Sequence, residues 1–542
     1  MIDKIYPANF FILEEERINV ERWLDDFHWP LSHNLSTSIS MDLEKGYLDT
    51  VNSYGKGYTG DVLMIAHSIH RFYGLVLFNI KYIQELKKFN HNIICSNKDR
   101  ILYGLLNNSL PGYPYFLSSV RLFYSLMKPF PPFNTILRSI NLKKKEIYYN
   151  IKNKKRFGLN HNQLPIYVYP LQGTLERKYI NDIKNYINFF DLRKCLPNYR
   201  IEKISTSNQF QHVTDILMQN IYNVAKKNDI TIEAQIISYL EKITITYLSI
   251  LSVMHTSFLK TIKNTDPFHL ILHQGGFPEF RSLSLALREN KGKVTICLHD
   301  NTSIPIIRYF WPLFDMSTTD EYIVNSNSAK NHMEFLKKNY PPARNNSITI
   351  KSENSDFFWQ FWQKKKLIPP PKKIKRVMLV DITIRSDIIP RFHTTDLVFV
   401  DFLIRIIKLL NQYEFEVLYK RHPDILKYRK WNDTIFDNYC KTSFIRFEEI
   451  MDETDAYIFF SASSSVFPYA ICTNKPIIFL DNGLQPFFDD AKAALLKRCS
   501  FIDVVFDQKN RMQLNSDELI TTLNKKPTFS DTEFIEKHLS PS

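Results

Sequence analysis

Short apolar runs alternate with longer amphipathic stretches along most of this chain. Runs of four to six apolar residues predict buried strands at Val62–Ala66, Asn92–Cys95, Pro165–Tyr169, Phe268–His273, Val294–His299, Glu321–Asn325, Val377–Val380, Phe415–Tyr419, Ala456–Phe460 and Pro476–Leu480. Helical spacing is found over Asn97–Lys155, Gln209–Ile262, Leu397–Gln412, Ile435–Tyr439, Val466–Cys472 and Asp517–Leu523. This alternation is typical of an α/β protein with parallel sheets that helices cover on both faces.

A basic, proline-rich segment divides this pattern into two halves. Residues 364–376 contain the consecutive prolines Pro369–Pro371, which cannot continue a helix and favour an extended connection. We therefore predict an N-terminal domain over residues 1–363 with helical insertions, a linker over 364–376, and a C-terminal domain over 377–515. Residues 516–542 would form a terminal helix and tail. Two doubly wound domains of this kind bind a ligand at the carboxyl ends of their strands, in the cleft between them.

The composition excludes several classes of protein. The chain has 542 residues, only 13 of them glycine, and 14% aromatic residues, which is not typical of a disordered or fibrous protein. Its six cysteines lie far apart without a C-x-x-C pair, so neither a disulfide framework nor a zinc knuckle is expected. No apolar run reaches the roughly 18–20 residues of a membrane span, and residues 1–4 lack the start of a signal peptide. A cytoplasmic protein is the expectation.

Several common site motifs are also absent from the sequence. There is no P-loop, no G-x-G-x-x-G after a strand, no H-E-x-x-H and no Asp-x-Asp pair to hold a metal on a nucleotide-sugar diphosphate. No nucleic-acid-binding module has a recognisable signature. We therefore expect no cofactor, no metal and no nucleic-acid partner.

One polar cluster follows the predicted strand that ends at Tyr419. Lys420, Arg421, His422 and Pro423 place two cations and a histidine at a strand end, where they can bind a phosphate and stabilise its departure. A solvated surface turn is the alternative for this cluster taken alone.

Two further clusters follow the strands that end at Phe460 and His299. Ser461-Ala462-Ser463-Ser464-Ser465 precedes a helix, where hydroxyls and free amides can cap the helix, bind phosphate, or do both. Asp300 places one carboxylate where it can take a proton from an acceptor hydroxyl, with an Asx-turn as the alternative. Phosphate binders in the second half and a lone carboxylate in the first match the division of labour in a two-domain group transferase.

These motifs resemble the two-Rossmann (GT-B) glycosyltransferases that use CMP-activated acidic sugars, the bacterial sialyltransferases and their polysialyl- and Kdo-transferring relatives. The base segment Asp-Asp-Gly-Ser of that family is similar to residues 299–303, with Asp300 at the base position. Lys-Gly-His-Pro is similar to residues 420–423, Phe-Glu to residues 447–448, and Ala-Ser-Ser to residues 462–464. The resemblance covers residues 300–506 and departs from the family at His299, Asn301 and Arg421, while residues 1–250 contain no matching motif.

The resemblance implies an inverting, metal-independent transfer of a sialic acid-like or Kdo-like sugar from CMP to a hydroxyl of a surface glycan such as capsule or lipopolysaccharide. Asp300 would be the base and His422 would assist the departing phosphate. The donor would be bound by Lys420, Arg421, Pro423, Glu448, Ser463, Ser464 and Ser465. Glu279, after Gly275-Gly276, is the alternative base, although the sequence favours a solvated loop carboxylate there.

Three alternatives remain at this point: a GT-B transferase with a UDP-sugar or CDP-polyol donor, a non-catalytic nucleotide-binding scaffold of a polysaccharide assembly complex, and, least favoured, a nucleic-acid-binding protein.

The net charge of +14 is concentrated in two short stretches. Residues 138–156 contain eight cations and one acid, and residues 364–376 contain seven cations and no acid, so the two together account for the whole excess. Aromatic and aliphatic residues between the cations of 138–156 suit an anionic membrane surface that carries a lipid-linked acceptor, with a solvated helix face as the alternative. We therefore expect the protein to be cytoplasmic, with a peripheral position at the inner face of the cytoplasmic membrane as a further hypothesis.

Overall fold

The chain folds into an α/β structure with two separate parallel sheets. The computed structural model describes residues 5–7, 20–55, 57–88, 92–95, 100–110, 166–168, 187–189, 208–272, 275–298, 306–307, 311–343, 347–353, 357–381, 394–422, 435–463 and 466–540. Asp300, Pro423, Ser464, Ser465 and the basic stretch 138–156 lie outside these ranges.

The first part of the chain is mainly helical. A short parallel pair joins β1 (Ile5–Pro7) to β2 (Asn92–Ile94), and around it are α1 (Val20–Asp26), α2 (Leu35–Tyr54), α3 (Tyr58–Ile65), α4 (Ile69–Lys87) and α5 (Arg100–Leu106). These helices pack against α6 (Gln211–Lys227) and α7 (Ala234–Lys263), which come later in the chain. Gly46 lets α2 approach α6 closely, because a Cβ there would lie 3.0 Å from Cγ of Asn220.

The N-terminal sheet has six parallel strands in the order β4-β3-β5-β6-β7-β8. They are β3 (Ile166–Val168), β4 (Ile187–Phe189), β5 (His269–Leu272), β6 (Lys293–Cys297), β7 (Glu321–Val324) and β8 (Thr349–Ser352). Their connections include α8 (Pro278–Glu289), α9 (Trp311–Ser317) and α10 (Asn327–Asn339), and α11 (Phe357–Lys365) follows the last strand.

The C-terminal sheet has seven strands in the order β11-β10-β9-β12-β13-β14-β15, of which the last is antiparallel. They are β9 (Arg376–Val380), β10 (Glu416–Lys420), β11 (Lys441–Ser443), β12 (Ala456–Phe459), β13 (Ile477–Asp481), β14 (Ser500–Phe506) and β15 (Met512–Leu514). Counted from β9, the parallel strands are ordered 3-2-1-4-5-6, the Rossmann arrangement, in which the order reverses between β9 and β12.

The helices of this half are α12 (Asp396–Gln412), α13 (Phe447–Ile450), α14 (Phe467–Ile471), α15 (Asp489–Arg498) and α16 (Ser516–Asn524), and a π-helical turn spans Ile535–Leu539. Short 3₁₀ turns occur at Asn208–Phe210, Phe436–Asn438 and Met451–Glu453.

The segments on either side of the proline-rich stretch connect the two sheets. Helix α11 precedes this stretch but packs on α14 of the C-terminal sheet, where the rings of Phe358 and Tyr469 are 5.1 Å apart. The amide of Asn474 donates to the backbone oxygens of Lys366 and Ile368 at 2.9 Å. The π-helical turn packs back on α10 and α11, so the chain end contacts helices from the first half.

Most strands of the predicted alternation are confirmed within one or two residues, but one is wrong. Val62–Ala66 lies in the helix α3 and its C-cap, because a short apolar run that is buried on all sides has no period that separates strand from helix. Within the described ranges, α7 alone has the length and apolar composition to span a bilayer. Since 56% of its most apolar window is buried in the protein, this is weak evidence for a span.

Candidate functional site

The candidate site lies where three neighbouring strands of the C-terminal sheet end. Val380, at the end of β9, pairs with Lys420 of β10 on one side and with Phe459 of β12 on the other. The residues that follow these strands therefore meet at the point where the strand order reverses, which is the usual ligand position in such a sheet. Asp381 occupies the centre of this edge.

Asp381 positions the histidine that the sequence singles out. Its backbone N–H donates to the carbonyl of Lys420 at 2.9 Å, and its Oδ2 accepts from the backbone N–H of His422 at 3.2 Å. His422 is half-buried at this edge. The motif analysis missed Asp381, whose only local signal is a carboxylate directly after a buried apolar strand.

Lys420 and Arg421 are both buried, in contrast to a solvated surface turn. The Lys420 Nζ donates to the backbone oxygen of Arg421 at 2.5 Å, and burial lowers the pKa of Lys420 against the opposing effect of Asp381 and Glu448. The Arg421 guanidinium stacks over the ring of Phe444, with its central carbon 4.6 Å from the ring centroid. The surface-turn interpretation of this cluster is therefore wrong for Lys420 and Arg421.

Glu448 belongs to the same edge of the sheet. It is exposed in the first turn of α13, and its carboxylate acts electrostatically on both Lys420 and Tyr469. The structure thus brings Glu448 close to Lys420, although 28 residues separate them in sequence.

The loop of residues 461–463, which we call the serine loop, is held by Gln485 from the loop after β13. Gln485 Oε1 accepts from Ser461 Oγ and from the amide of Ala462, both at 3.1 Å, while its Nε2 donates to the oxygen of Phe460 at 2.9 Å. The amide of Ser463 donates to Ser461 Oγ at 3.1 Å. The amides of Ala462 and Ser463 therefore already have protein acceptors, so a bound phosphate would have to displace these acceptors or use other donors.

The sequence predicts that a serine caps the N-terminus of the next helix, but the N-cap residue is not a serine. Helix α14 begins at Phe467, and its N-cap is Val466, which has no side-chain oxygen. With only five residues, this helix adds little dipole field to the serine loop.

The carboxyl edges of the two sheets contact each other. Ile306, after β6, forms an antiparallel bridge with Phe487, and the amide of Ile307 donates to the oxygen of Pro486 at 2.8 Å. Residues 482–488, which we call the bridging segment, also contain Gln485. One segment therefore contacts both the serine loop and the chain that follows residues 299–305, where Asp300 lies.

Glu279 lies at the carboxyl edge of the N-terminal sheet, in the first turn of α8 after β5. It is 7% exposed, and burial raises the pKa of its carboxyl group to about 7. The interpretation as a solvated loop carboxylate is therefore wrong. A carboxyl group with this pKa is partly ionised near neutral pH and can accept a proton from a substrate.

A buried charged pair lies behind Glu279. Arg281 of α8 is 0% exposed and Asp315 of α9 is 1% exposed. Among the described residues, neither the three guanidinium nitrogens nor the two carboxylate oxygens have a hydrogen bond of good geometry. Burial raises the pKa of Asp315 to about 7, although Arg281 and the backbone of Gly275 oppose this rise.

Gly275 makes room for this carboxylate at the end of β5. A Cβ at position 275 would lie 2.7 Å from Oδ1 of Asp315 and 2.9 Å from Cδ1 of Ile296, so a larger residue would displace the buried acid. The guanidinium of Arg281 also lies 5.4 Å from the ring centroid of Phe314. Sequence reasoning missed this pair because its members lie 34 residues apart on different helices.

Comparison with known proteins does not assign this chain to a family. No protein-family model and no curated protein matches the chain. Similar solved structures include UDP-N-acetylglucosamine 2-epimerase from Rickettsia bellii, at 10% identity and a TM-score of 0.33 over 69% of this chain and 93% of that one. Another is a putative UDP-N-acetylglucosamine 2-epimerase from Listeria monocytogenes, at 9% identity and a TM-score of 0.32 over 70% and 95%. At TM-scores this low, the likeness supports no inference about this chain.

Proposed function

We propose that this protein is an inverting, metal-independent glycosyltransferase that moves an acidic sugar from a CMP-sugar to a hydroxyl of a surface glycan. The observation that carries the proposal is the position of His422, whose backbone N–H donates to Asp381 at the strand-order reversal of a Rossmann-ordered sheet. The motif resemblance adds the CMP donor and the acidic sugar. A cleft between two facing sheets is part of the same proposal, supported by the contact between their carboxyl edges.

In this mechanism the acceptor oxygen attacks the anomeric carbon as the bond from that carbon to the phosphate oxygen breaks. The bonding electrons pass to the phosphate oxygen, and CMP leaves as a monophosphate. His422 and Lys420 stabilise the charge that develops on this oxygen. Glu448, which lies close to Lys420, would bind the ribose hydroxyls.

Asp300 is the proposed base that takes the acceptor proton, and Glu279 is its competitor. Asp300 lies outside the described residues, three positions after the end of β6 in sequence, and Glu279 follows the neighbouring strand β5. The raised pKa of Glu279 is a specific observation in its favour, because a base near pKa 7 accepts a proton efficiently at neutral pH.

The first test compares H422A with H212A, since His212 is an exposed histidine on α6 far along the chain from the site. We expect the wild-type protein and H212A to release CMP from CMP-sialic acid or CMP-Kdo at least ~100-fold faster than H422A. Equal rates in all three proteins would defeat the proposal.

A second comparison assigns the base. We expect D300N to lose acceptor transfer while it keeps CMP affinity, and E279Q to keep both. The opposite result would transfer the role to Glu279 and leave the reaction type intact.

Thermal shifts with CMP, UDP, CDP and GDP test the donor. The largest stabilisation should come from CMP; a preference for a diphosphate would favour a UDP-sugar or CDP-polyol donor. Tight CMP binding without turnover, unchanged in D300A, would favour a non-catalytic scaffold. The occupied amides of the serine loop are the observation that keeps this alternative open.

The acceptor and the location belong to the same proposal. A glycan or lipid-linked acceptor at the inner face of the cytoplasmic membrane would be reached through residues 138–156. A variant with the eight cations of this stretch changed to glutamine should lose its binding to anionic liposomes. Unchanged binding would make the stretch an ordinary solvated face.

A further inference from the structure

Two histidines and an aspartate from three distant parts of the chain meet at one point between the sheets. His332 lies on α10 of the N-terminal sheet, Asp490 is in the first turn of α15 of the C-terminal sheet, and His538 is in the π-helical turn near the chain end. One side-chain ligand atom from each residue lies within 4.8 Å of the other two. This combination of ligand types is common at transition-metal sites in proteins.

Ser328 fixes the ring of His538 in the orientation of a metal ligand. Its Oγ is 2.6 Å from Nδ1 of His538. When Nδ1 donates to this oxygen, the other nitrogen, Nε2, presents a bare lone pair. Within the described part of the chain this Nε2 is buried and makes no hydrogen bond of good geometry, although the backbone of Asp490 acts on the same ring, and the residue is 1% exposed.

A buried nitrogen lone pair without a partner is costly in an apolar environment. A hydrogen bond to the ring nitrogen opposite the metal is the arrangement by which proteins orient histidine ligands.

His332 is held on the other side of the same point. Its Nε2 is 3.1 and 3.2 Å from the two carboxylate oxygens of Asp490. Its ring is stacked on Phe488 with centroids 3.8 Å apart and an angle of 5° between the rings. The side chain of Asp490 is 58% exposed, so the site is open to solvent on this side.

We infer that His332, Asp490 and His538 form a binding site for a divalent transition metal of the Zn²⁺ class, with water as a fourth ligand. Bonds of about 2.0–2.2 Å in a tetrahedral site place ligand atoms about 3.3 Å apart. The His332–Asp490 pair already has this spacing, so only His538 must move inward, by about 1–1.5 Å at most. Two imidazoles and one carboxylate favour Zn²⁺, Co²⁺ or Ni²⁺ over Mg²⁺ and Ca²⁺.

Such an ion would connect both sheets and the chain end. It does not participate in the proposed transfer reaction, which stays metal-independent. Its effect would be to stabilise the relative position of α10, α15 and the π-helical turn.

The test uses the full-length protein after chelator treatment and dialysis, with Zn²⁺ as the probe. We expect one equivalent of Zn²⁺ to bind in the presence of excess Mg²⁺ and to raise the melting temperature. Co²⁺ should give the intense visible absorption of a four-coordinate site. H332A and H538A should lose both the stoichiometric binding and the absorption, whereas the exposed-histidine control H212A should keep them.

Two milder variants keep the test decisive if an alanine variant fails to fold. S328A retains all three ligands but loses the hydrogen bond that orients His538, and should weaken Zn²⁺ about 10- to 100-fold. D490N retains an acceptor for His332 and should lose Zn²⁺ while the fold persists. Absence of stoichiometric binding in the wild type, or binding that S328A and D490N leave unchanged, would show that His332 and Asp490 form only an ion pair.

Discussion

Two fully buried aspartates, one in each half of the molecule, have opposite surroundings. Asp401 of α12 accepts hydrogen bonds from Arg405 and Arg511, each through Nη2 at 2.7 Å. Asp315 of α9 has one nearby guanidinium, that of Arg281, and neither partner makes a hydrogen bond of good geometry within the described ranges. A fully buried aspartate is thus part of a hydrogen-bonded ion-pair network in one half. In the other half it belongs to a pair without hydrogen bonds of good geometry.

The difference shows that burial alone does not define the role of a charged group. The Asp401 network joins α12 to the β14–β15 hairpin and has the character of a structural element. In the Arg281–Asp315 pair, Arg281 shares α8 with the buried Glu279, and the electrostatic cost of the pair is not offset by hydrogen bonds of good geometry. Uncompensated buried charge of this kind is typical of functional regions.

The largest expected effect comes from removing the charge of Asp401. D401N should lower the free energy of unfolding by about 3–5 kcal/mol, because two half-buried arginines lose their charged, fully buried acceptor. D315N at pH 5.5 should change it by less than about 1 kcal/mol, because a carboxyl with a pKa of about 7 is already protonated there. Urea unfolding of both variants at pH 5.5 checks this, and equal losses would show that the two aspartates are alike.

The second effect is a pH dependence. Burial raises the pKa of Asp315 and Glu279 from their ordinary values near 4 to about 7 in the folded protein. The folded state therefore binds these protons more tightly, so the stability they contribute is full below about pH 4 and is lost as the pH rises through 7.

A D315N/E279Q double variant should not lose folding stability in this way as the pH rises. Between pH 5 and pH 8 its stability should rise relative to wild type by on the order of 5 kcal/mol, about half from each group. Denaturation series at both pH values measure the difference. A constant offset between the two proteins would mean that these groups do not titrate in the window.

A smaller effect is expected at the serine loop. Q485A removes three hydrogen bonds that hold residues 460–462, at a cost of about 2 kcal/mol. It should also weaken CMP binding, because the loop loses its fixed position. Q219A, which removes one exposed bond to Asn223, is the matched control and should change neither quantity. Unchanged nucleotide affinity in Q485A would separate the serine loop from the donor site.

The smallest effect concerns a feature that the two regions share. Helix α8, which contains Arg281, and helix α12, which contains Asp401, are followed by the non-glycine residues Lys291 and Glu414 with φ of 61° and 63°. K291G and E414G should each stabilise the protein by about 0.5–1 kcal/mol, since glycine adopts this conformation without strain. Melting temperatures measure both, and a difference between them would mean that the helix ends are not equivalent.

Much of the C-terminal sheet could be predicted from sequence, because its central strands are short, wholly apolar and bounded by polar residues. The strand Ser500–Phe506 was not predicted, since it alternates between buried and exposed positions at the side of the sheet where it pairs with β15. The run Val62–Ala66 was predicted as a strand because its burial on all sides hides its helical period.

The site residues divide in the same way. Lys420 and His422 could be predicted because they are contiguous at the end of one strand. Asp381 could not, because its importance depends on the strand order that places it between β10 and β12. Nor could the burial of Arg281, since only the packing of α8 against α7 and the helices of the first half encloses it.

The bridging segment, finally, couples the relative position of the two sheets to the shape of the serine loop. Its residues Pro486 and Phe487 are tied to Ile306 and Ile307, while its Gln485 is tied to the loop after β12. Any rotation that separates the sheets must either break the Ile306–Phe487 bridge or move Gln485 away from Ser461. A ligand that fixes the serine loop therefore also favours one angle between the sheets, and by reciprocity that angle sets the affinity for the ligand.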